Sequence, residues 1–255
     1  MPLVETPERL VVVHRDKQLL ADASATRLAL ACADAQASRG MAQIVLTGGS
    51  MGSAIIASLV ASPLRNAVDW TMVEVWWGDE RYLDTGDPDR NETQARDAGL
   101  DSLGLDAFRV HPMAGPDRAG STEQATALYA RELASGIRGP DPRGVSVPDF
   151  DVVMLGVGPD AHVASLFPGH PALKSQAAAV AVHNSPKPPP DRVSLTFRSL
   201  ESGRQVWFLV SGDDKADAVA RSLGGASREE APAGSVHGRE STLWLVDRAA
   251  ATNLR

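Results

Sequence analysis

Three glycine-containing segments of this sequence carry residues able to do chemistry. The first, LTGGSMG at 46–52, lies where an apolar run gives way to an alanine-rich one. Glycine lets backbone approach a ligand closely, and the first N–H groups and the dipole of a following helix favour an anion. Gly48, Gly49 and Ser50 are therefore candidate phosphate contacts. The second, WWGDERY at 76–82, sets Asp79, Glu80 and Arg81 directly after an apolar run. With a side-chain period of two, Asp79 and Arg81 project the same way if the strand continues. The third, LGVGPDAHVASLFPGHP at 155–171, brings Asp160 and His162 together. Histidine has the proton affinity for base catalysis near neutrality, and a nearby carboxylate can orient its ring.

Each segment has a competing reading. Residues 48–52 also spell G-x-S-x-G, which would make Ser50 the nucleophile of a serine esterase. Only two strands precede it, and no HGGG-type oxyanion segment lies upstream, so the phosphate reading is preferred. GVGPDA at 156–161 formally matches the dinucleotide fingerprint. Pro168 and Pro171 interrupt the helix that should follow, however, and no acidic residue stands about 20 positions on to hold a ribose. The charged residues after Trp77 would also suit a plain solvated turn.

Further along, Lys187 and Arg192 bracket the proline cluster PKPPPD at 186–191, and Lys215 follows VSGDD. Cations at such places suit an anionic ligand. The six histidines are scattered without ligand spacing, so no metal site is expected.

The elements that must position these groups follow from the apolar pattern. RLVVVH, AQIVLT, MVEVWW, FDVVMLGVG, AAAVAVH, RVSLTF, RQVWFLVSG and TLWLVD read as strands. Helices are expected from about Asp16 to Ser38 with Gly40 as the stop, from near Ser50, from a cap at Asn91, from the Ser121/Gln124 capping box to about Ile137, and from Lys215 to Leu223. GPDPRGVSVPD at 139–149 reads as a loop. Continuous apolar strands interleaved with helices predict an α/β fold: a three-layer, Rossmann-like, mostly parallel sheet with helices on both faces, formed as one domain over 1–255. The ends of such strands are where open α/β sheets hold ligands.

Composition narrows the function classes. The 255 residues are 43% hydrophobic and 22% charged, as in ordinary globular proteins. The net charge of -7 argues against a nucleic-acid partner, since binding there depends on phosphate neutralisation. No apolar run is long enough for a membrane span, MPLVETPERL is unlike a signal peptide, and the single Cys32 cannot form an internal disulfide; a cytoplasmic protein is expected.

Taken in order, LTGGS, WWGDERY, the run Asp89-Arg90-Asn91-Glu92, LGVGPDAHVASLFPGH, KPPPDRVSLTF and VSGDDKA resemble the glucosamine-6-phosphate isomerase/6-phosphogluconolactonase family over most of the chain. The deaminase branch has a related loop like GxDGHIAFNEP; SLFP after the histidine here favours the lactonase side. The resemblance implies hydrolysis of 6-phospho-D-glucono-1,5-lactone to 6-phosphogluconate without a cofactor, the alternative being an amino-sugar-phosphate deaminase or isomerase. On this reading His162 is the general base, with Asp160 or Asp79 orienting the imidazole or the ring hydroxyls. Arg81 or backbone N–H groups meet the oxyanion, and Gly48, Gly49, Ser50, Lys187, Arg192 and Lys215 bind the substrate. One departure stands out: the family usually has glycine where this chain has Ala161, so a positive φ there would strain the loop.

Overall fold

The computed structural model describes residues 8–137, 144 and 146–254. Of the loop expected at 139–149, residues 139–143 and 145 lie outside them, as do residues 1–7. In chain order the strands are β1 (Glu8–His14), β2 (Ala42–Leu46), β3 (Val73–Trp77), β4 (Asp79–Arg81), β5 (Val152–Leu155), β6 (Ala179–Val182), β7 (Arg192–Leu195), β8 (Gln205–Val210) and β9 (Ser241–Asp247). The helices are α1 (Lys17–Arg39), α2 (Gly49–Ala61), α3 (Asn91–Asp97), α4 (Thr122–Ser135), α5 (Phe197–Leu200) and α6 (Ala216–Leu223).

Six strands form one parallel sheet ordered β1-β9-β8-β5-β2-β3. Every residue of β2, β3 and β5 is buried, so both faces of the central sheet are covered, which is why these runs show no alternation. Local signals set the helix ends. Asp16 accepts the N–H of Leu19 at 2.9 Å, and Gly40 closes α1 at φ 79°. Ser121 Oγ accepts the N–H of Gln124, while Gln124 Oε1 turns back to the N–H of Gly120. The large core side chains are Trp76, Trp77, Trp207 and Trp244, and the Tyr129 hydroxyl both accepts from and donates to the backbone of Trp77.

Two expectations need correction. AAAVAVH and RVSLTF do not join the parallel sheet; they supply β6 and β7, which with β4 make a separate antiparallel sheet ordered β4-β7-β6. The chain leaves the main sheet at Gly78, whose N–H bonds Leu46 O while its carbonyl accepts from Leu195, so one residue joins both sheets. Asn91 does not cap α3. Arg90 holds the N-cap position, and the N–H groups of Asn91 and Glu92 are taken by the Glu80 carboxylate at 2.7 and 2.9 Å.

From β2 the chain moves outward to β3, whereas β5 lies on the opposite side of β2 and is followed by β8. The strand order therefore reverses between β2 and β5, and such a reversal opens a crevice at the carboxyl ends of the strands. The glycine turn after β2 and the Asp160/His162 loop after β5 both emerge there.

Candidate functional site

A cleft of ≈ 320 Å³ opens at this switch point. It is lined by Gly48, Gly49, Ser50, Asp79, Arg81, His162, Lys187, Arg192 and Lys215, so nine of the ten sequence-derived candidates meet at one place. Asp160 stands behind His162, with Oδ1 2.6 Å from His162 Nδ1 and 3.7 Å from Lys187 Nζ.

The loop carrying this pair is a tight turn. Pro159, with its preset φ, follows Gly158, whose carbonyl accepts the Ala161 N–H at 2.8 Å; the Gly158 N–H returns to His162 O at 3.0 Å. Position 158 has to be glycine, because a Cβ there would fall 2.0 Å from His162 Nδ1 and 2.5 Å from Asp160 Oδ1. Ala161 adopts φ 68°, the left-handed region, while fully buried, so the loop carries the strain that its alanine implied. Phe167 backs the His162 ring at 4.4 Å and also lies under the Arg192 guanidinium.

Burial alone would raise the Asp160 carboxyl, but the hydrogen bond and charge of His162, with Lys187 beyond, hold it well below the usual carboxylate range. An ionised carboxylate only accepts, so His162 Nδ1 carries the donated proton, and its Nε2 is left with a lone pair in the neutral ring.

Gly48, also lining the cleft, is the N-cap of α2 and offers no side-chain cap, and the first turn of the helix carries no acid. Part of the expected cradle is already engaged, since the Gly49 N–H donates to Gln94 Oε1 at 3.2 Å. Burial lowers Lys187, and the charges of Lys215 and Arg192 press the same way against the pull of Asp160. Arg192 is lowered by burial too, opposed by Asp79. Its Nε and Nη2 hold the carbonyls of Lys187, Pro188 and Pro189 at 3.0–3.2 Å, fixing the proline segment over the cleft. Lys215 Nζ sits 3.1 Å from Asp214. A chain of net negative charge thus gathers four cations around one small cavity.

Asp79 Oδ2 accepts from Ser165 Oγ at 2.7 Å, and among the described residues it is Asp160, not Asp79, that is hydrogen-bonded to His162. Sequence reasoning missed Ser165, Gln94 and the side chain of Asn91, which binds both Asp79 and Arg81. Ser165 and Asn91 lie within the quoted SLFP and Asp89–Glu92 stretches, whereas Gln94 lies in none of the quoted segments. GVGPDA is followed by turns and a short 3-10 segment at Pro171–Lys174, without the helix that a dinucleotide fingerprint requires. Among the described residues no group of His, Cys, Asp or Glu is arranged to hold a metal ion, and no helix is long and apolar enough to cross a membrane.

The family model for glucosamine-6-phosphate isomerases/6-phosphogluconolactonase matches residues 15–244. The chain belongs to this family. It is similar to the 6-phosphogluconolactonase of Streptomyces coelicolor, 52% identical over 98% of this chain and 95% of the relative. The 6-phosphogluconolactonase of Mycobacterium tuberculosis is 44% identical over 96% and 98% of the two chains. The solved structure of 6-phosphogluconolactonase from Trypanosoma brucei superposes with a TM-score of 0.83 at 25% identity, covering 98% of this chain and 99% of that one. The Rossmann-like sheet of the glucosamine-6-phosphate isomerase/6-phosphogluconolactonase family is thus the scaffold that brings the two loops together.

Proposed function

We propose that this chain hydrolyses 6-phospho-D-glucono-1,5-lactone to 6-phosphogluconate, with His162 as general base on water. The observation that carries the mechanism is the Asp160–His162 pair at the edge of a cation-lined cleft. The near-full-length likeness to enzymes named 6-phosphogluconolactonase supports the substrate.

The start of α2, with Arg192, Lys187 and Lys215, holds the phosphate and so fixes the lactone against His162. His162 Nε2 takes a proton from water as the water oxygen bonds to the carbonyl carbon. The carbonyl electrons move to its oxygen, which meets Arg81 or backbone N–H groups. On collapse the ring C–O bond breaks, and the proton held by His162 passes to the departing ring oxygen. Asp160 keeps the imidazolium oriented throughout, and Asp79 contacts sugar hydroxyls. The open acid then releases its proton to solvent.

The test is proton release from freshly prepared lactone, corrected for spontaneous hydrolysis and run in chelator, for the native chain and His162→Ala. Turnover should fall by roughly two to four powers of ten in the variant with little change in KM. A near-native rate would return His162 to a structural role. Ammonia release from glucosamine 6-phosphate in place of lactonase activity would overturn the proposal in favour of the deaminase branch.

A further inference from the structure

Asp79 and Arg81 lie two residues apart on β4, and both reach the cleft. Opposite charges at that spacing on one face ordinarily pair. Among the described residues, neither is paired with the other. The Asn91 side chain stands between them: its Oδ1 accepts from Arg81 Nη1 at 2.8 Å, while its Nδ2 donates to Asp79 O at 2.7 Å and reaches Asp79 Oδ1 at 3.3 Å.

The rest of the structure holds the amide in that place. Its backbone N–H is bound by Glu80 Oε1, and Glu80, 2% exposed, is itself flanked by the buried Arg90 at 3.8 Å. On the other side Gly48 presses against the amide so closely that a Cβ would fall 1.8 Å from Asn91 Oδ1. The glycine is needed because the amide fills the gap between β4 and the start of α2.

We infer that Asn91 is a positioning residue, a neutral spacer that stops Arg81 from collapsing onto Asp79. It thereby leaves the guanidinium available to an anionic ligand and the carboxylate available to hydroxyl groups. An amide donates and accepts at once without net charge, which is what a position between a carboxylate and a guanidinium requires. A direct ion pair would neutralise both groups in a poorly solvated site, where charge interactions are strong. The inference rests on the anion-binding reading of the cleft, and the experiment separates the two.

Binding of 6-phosphogluconate is measured by titration calorimetry alongside lactonase kinetics. Asn91→Ala should weaken Kd and raise KM roughly ten- to a hundredfold, the scale of one charge-assisted hydrogen bond. In Asp79→Asn/Asn91→Ala the guanidinium has no carboxylate to fall onto, so affinity should recover to near that of Asp79→Asn alone. Asn91→Asp is isosteric and keeps the fold testable if the alanine variant is unstable. It faces Asp79, Arg81 and Glu80 from β4, and Arg90 and Glu92 from its own segment. As a carboxylate it repels Asp79 and pairs with Arg81 itself, taking the guanidinium from the ligand, so Kd should weaken at least as much as in Asn91→Ala. A residue that only filled space would tolerate this isosteric change. Asn91→Ala or Asn91→Asp binding within about twofold of native, or strict additivity in the double variant, would each overturn the inference. If the native chain neither binds 6-phosphogluconate nor opens the lactone, the functional reading fails first and takes this one with it.

Discussion

Asp160 Oδ1 and His162 Nδ1 lie 2.6 Å apart across a turn so tight that only Gly158 fits beneath them. An ionised carboxylate only accepts, so the pair assigns the imidazole's proton to Nδ1.

The same pair sets an expected pH response. The folded value of Asp160 is depressed, so its stabilising contribution is present above the unfolded carboxylate value, 3.8, and is lost as pH falls through the folded one. Asp160 therefore stays charged below the ordinary carboxylate range. Asp160→Asn should lower kcat by about 10²- to 10⁴-fold, because the ring loses the acceptor that fixes its tautomer and orientation. A near-native kcat in steady-state kinetics would show that the carboxylate does not act through the ring.

Gly158→Ala tests the turn itself. The added methyl would overlap His162 and Asp160, and displacing a reacting group by about 1 Å costs around 10²-fold. The expected result is a kcat loss of at least that size with KM nearly intact, checked beside a thermal melt showing a folded protein. A native kcat would mean that the loop relaxes without disturbing the base.

Ser50 separates the phosphate cradle from a serine nucleophile. Among the described residues no histidine is hydrogen-bonded to Ser50, the contact that would activate it as a nucleophile; the one side-chain hydrogen bond of His162 is from Nδ1 to Asp160. Ser50→Ala should thus raise KM roughly ten- to a hundredfold, as expected for one charge-assisted hydrogen bond. A fall in turnover of about six powers of ten, or an acyl adduct on Ser50 in intact-mass spectrometry, would instead establish a covalent route.

Away from the cleft, His111 binds Glu132 at 2.8 Å and Glu74 at 2.6 Å and stacks on Trp76 at 3.8 Å. Burial would lower it, but the two carboxylates prevail and raise it above its ordinary 6.5. A raised folded value gives stability fully present below about pH 6.5 and lost as pH climbs through the folded value. His111→Gln should cost about 1.5–3 kcal/mol near pH 6 and progressively less at higher pH. Denaturant titrations of both proteins across that range check it. The difference between them matters, because His183, bound to Asp191 and Glu123, is raised as well. A pH-independent difference would remove the charge from this explanation.

Local chemistry in the sequence was sufficient for much of this protein. Asp16 and Gly40 bound α1, and the runs at 42–46, 73–77 and 152–155, apolar apart from Gln43 and Glu74, read as strands buried on both faces; all three are. Glycine turns at strand ends marked the loops that meet at the switch point, because a parallel sheet puts every such loop on one edge. What the sequence did not carry was set by contacts between distant segments. β6 and β7 read as further strands of one mostly parallel sheet, since alternation cannot say which partner a short strand finds; Gly78 sends β4 out of the main sheet to pair with β7. Asn91 looked like a helix cap because its residue type suits one, yet Glu80 performs that task and frees the amide to stand between Asp79 and Arg81. Asp79 and Asp160 were equal candidates to orient His162, and only the fold, which turns Asp79 to Ser165 and folds Asp160 back onto the ring two residues away, told them apart. Residue type and spacing decide which chemistry is possible, whereas hydrogen-bond partners are allotted by three-dimensional packing between segments far apart in the chain.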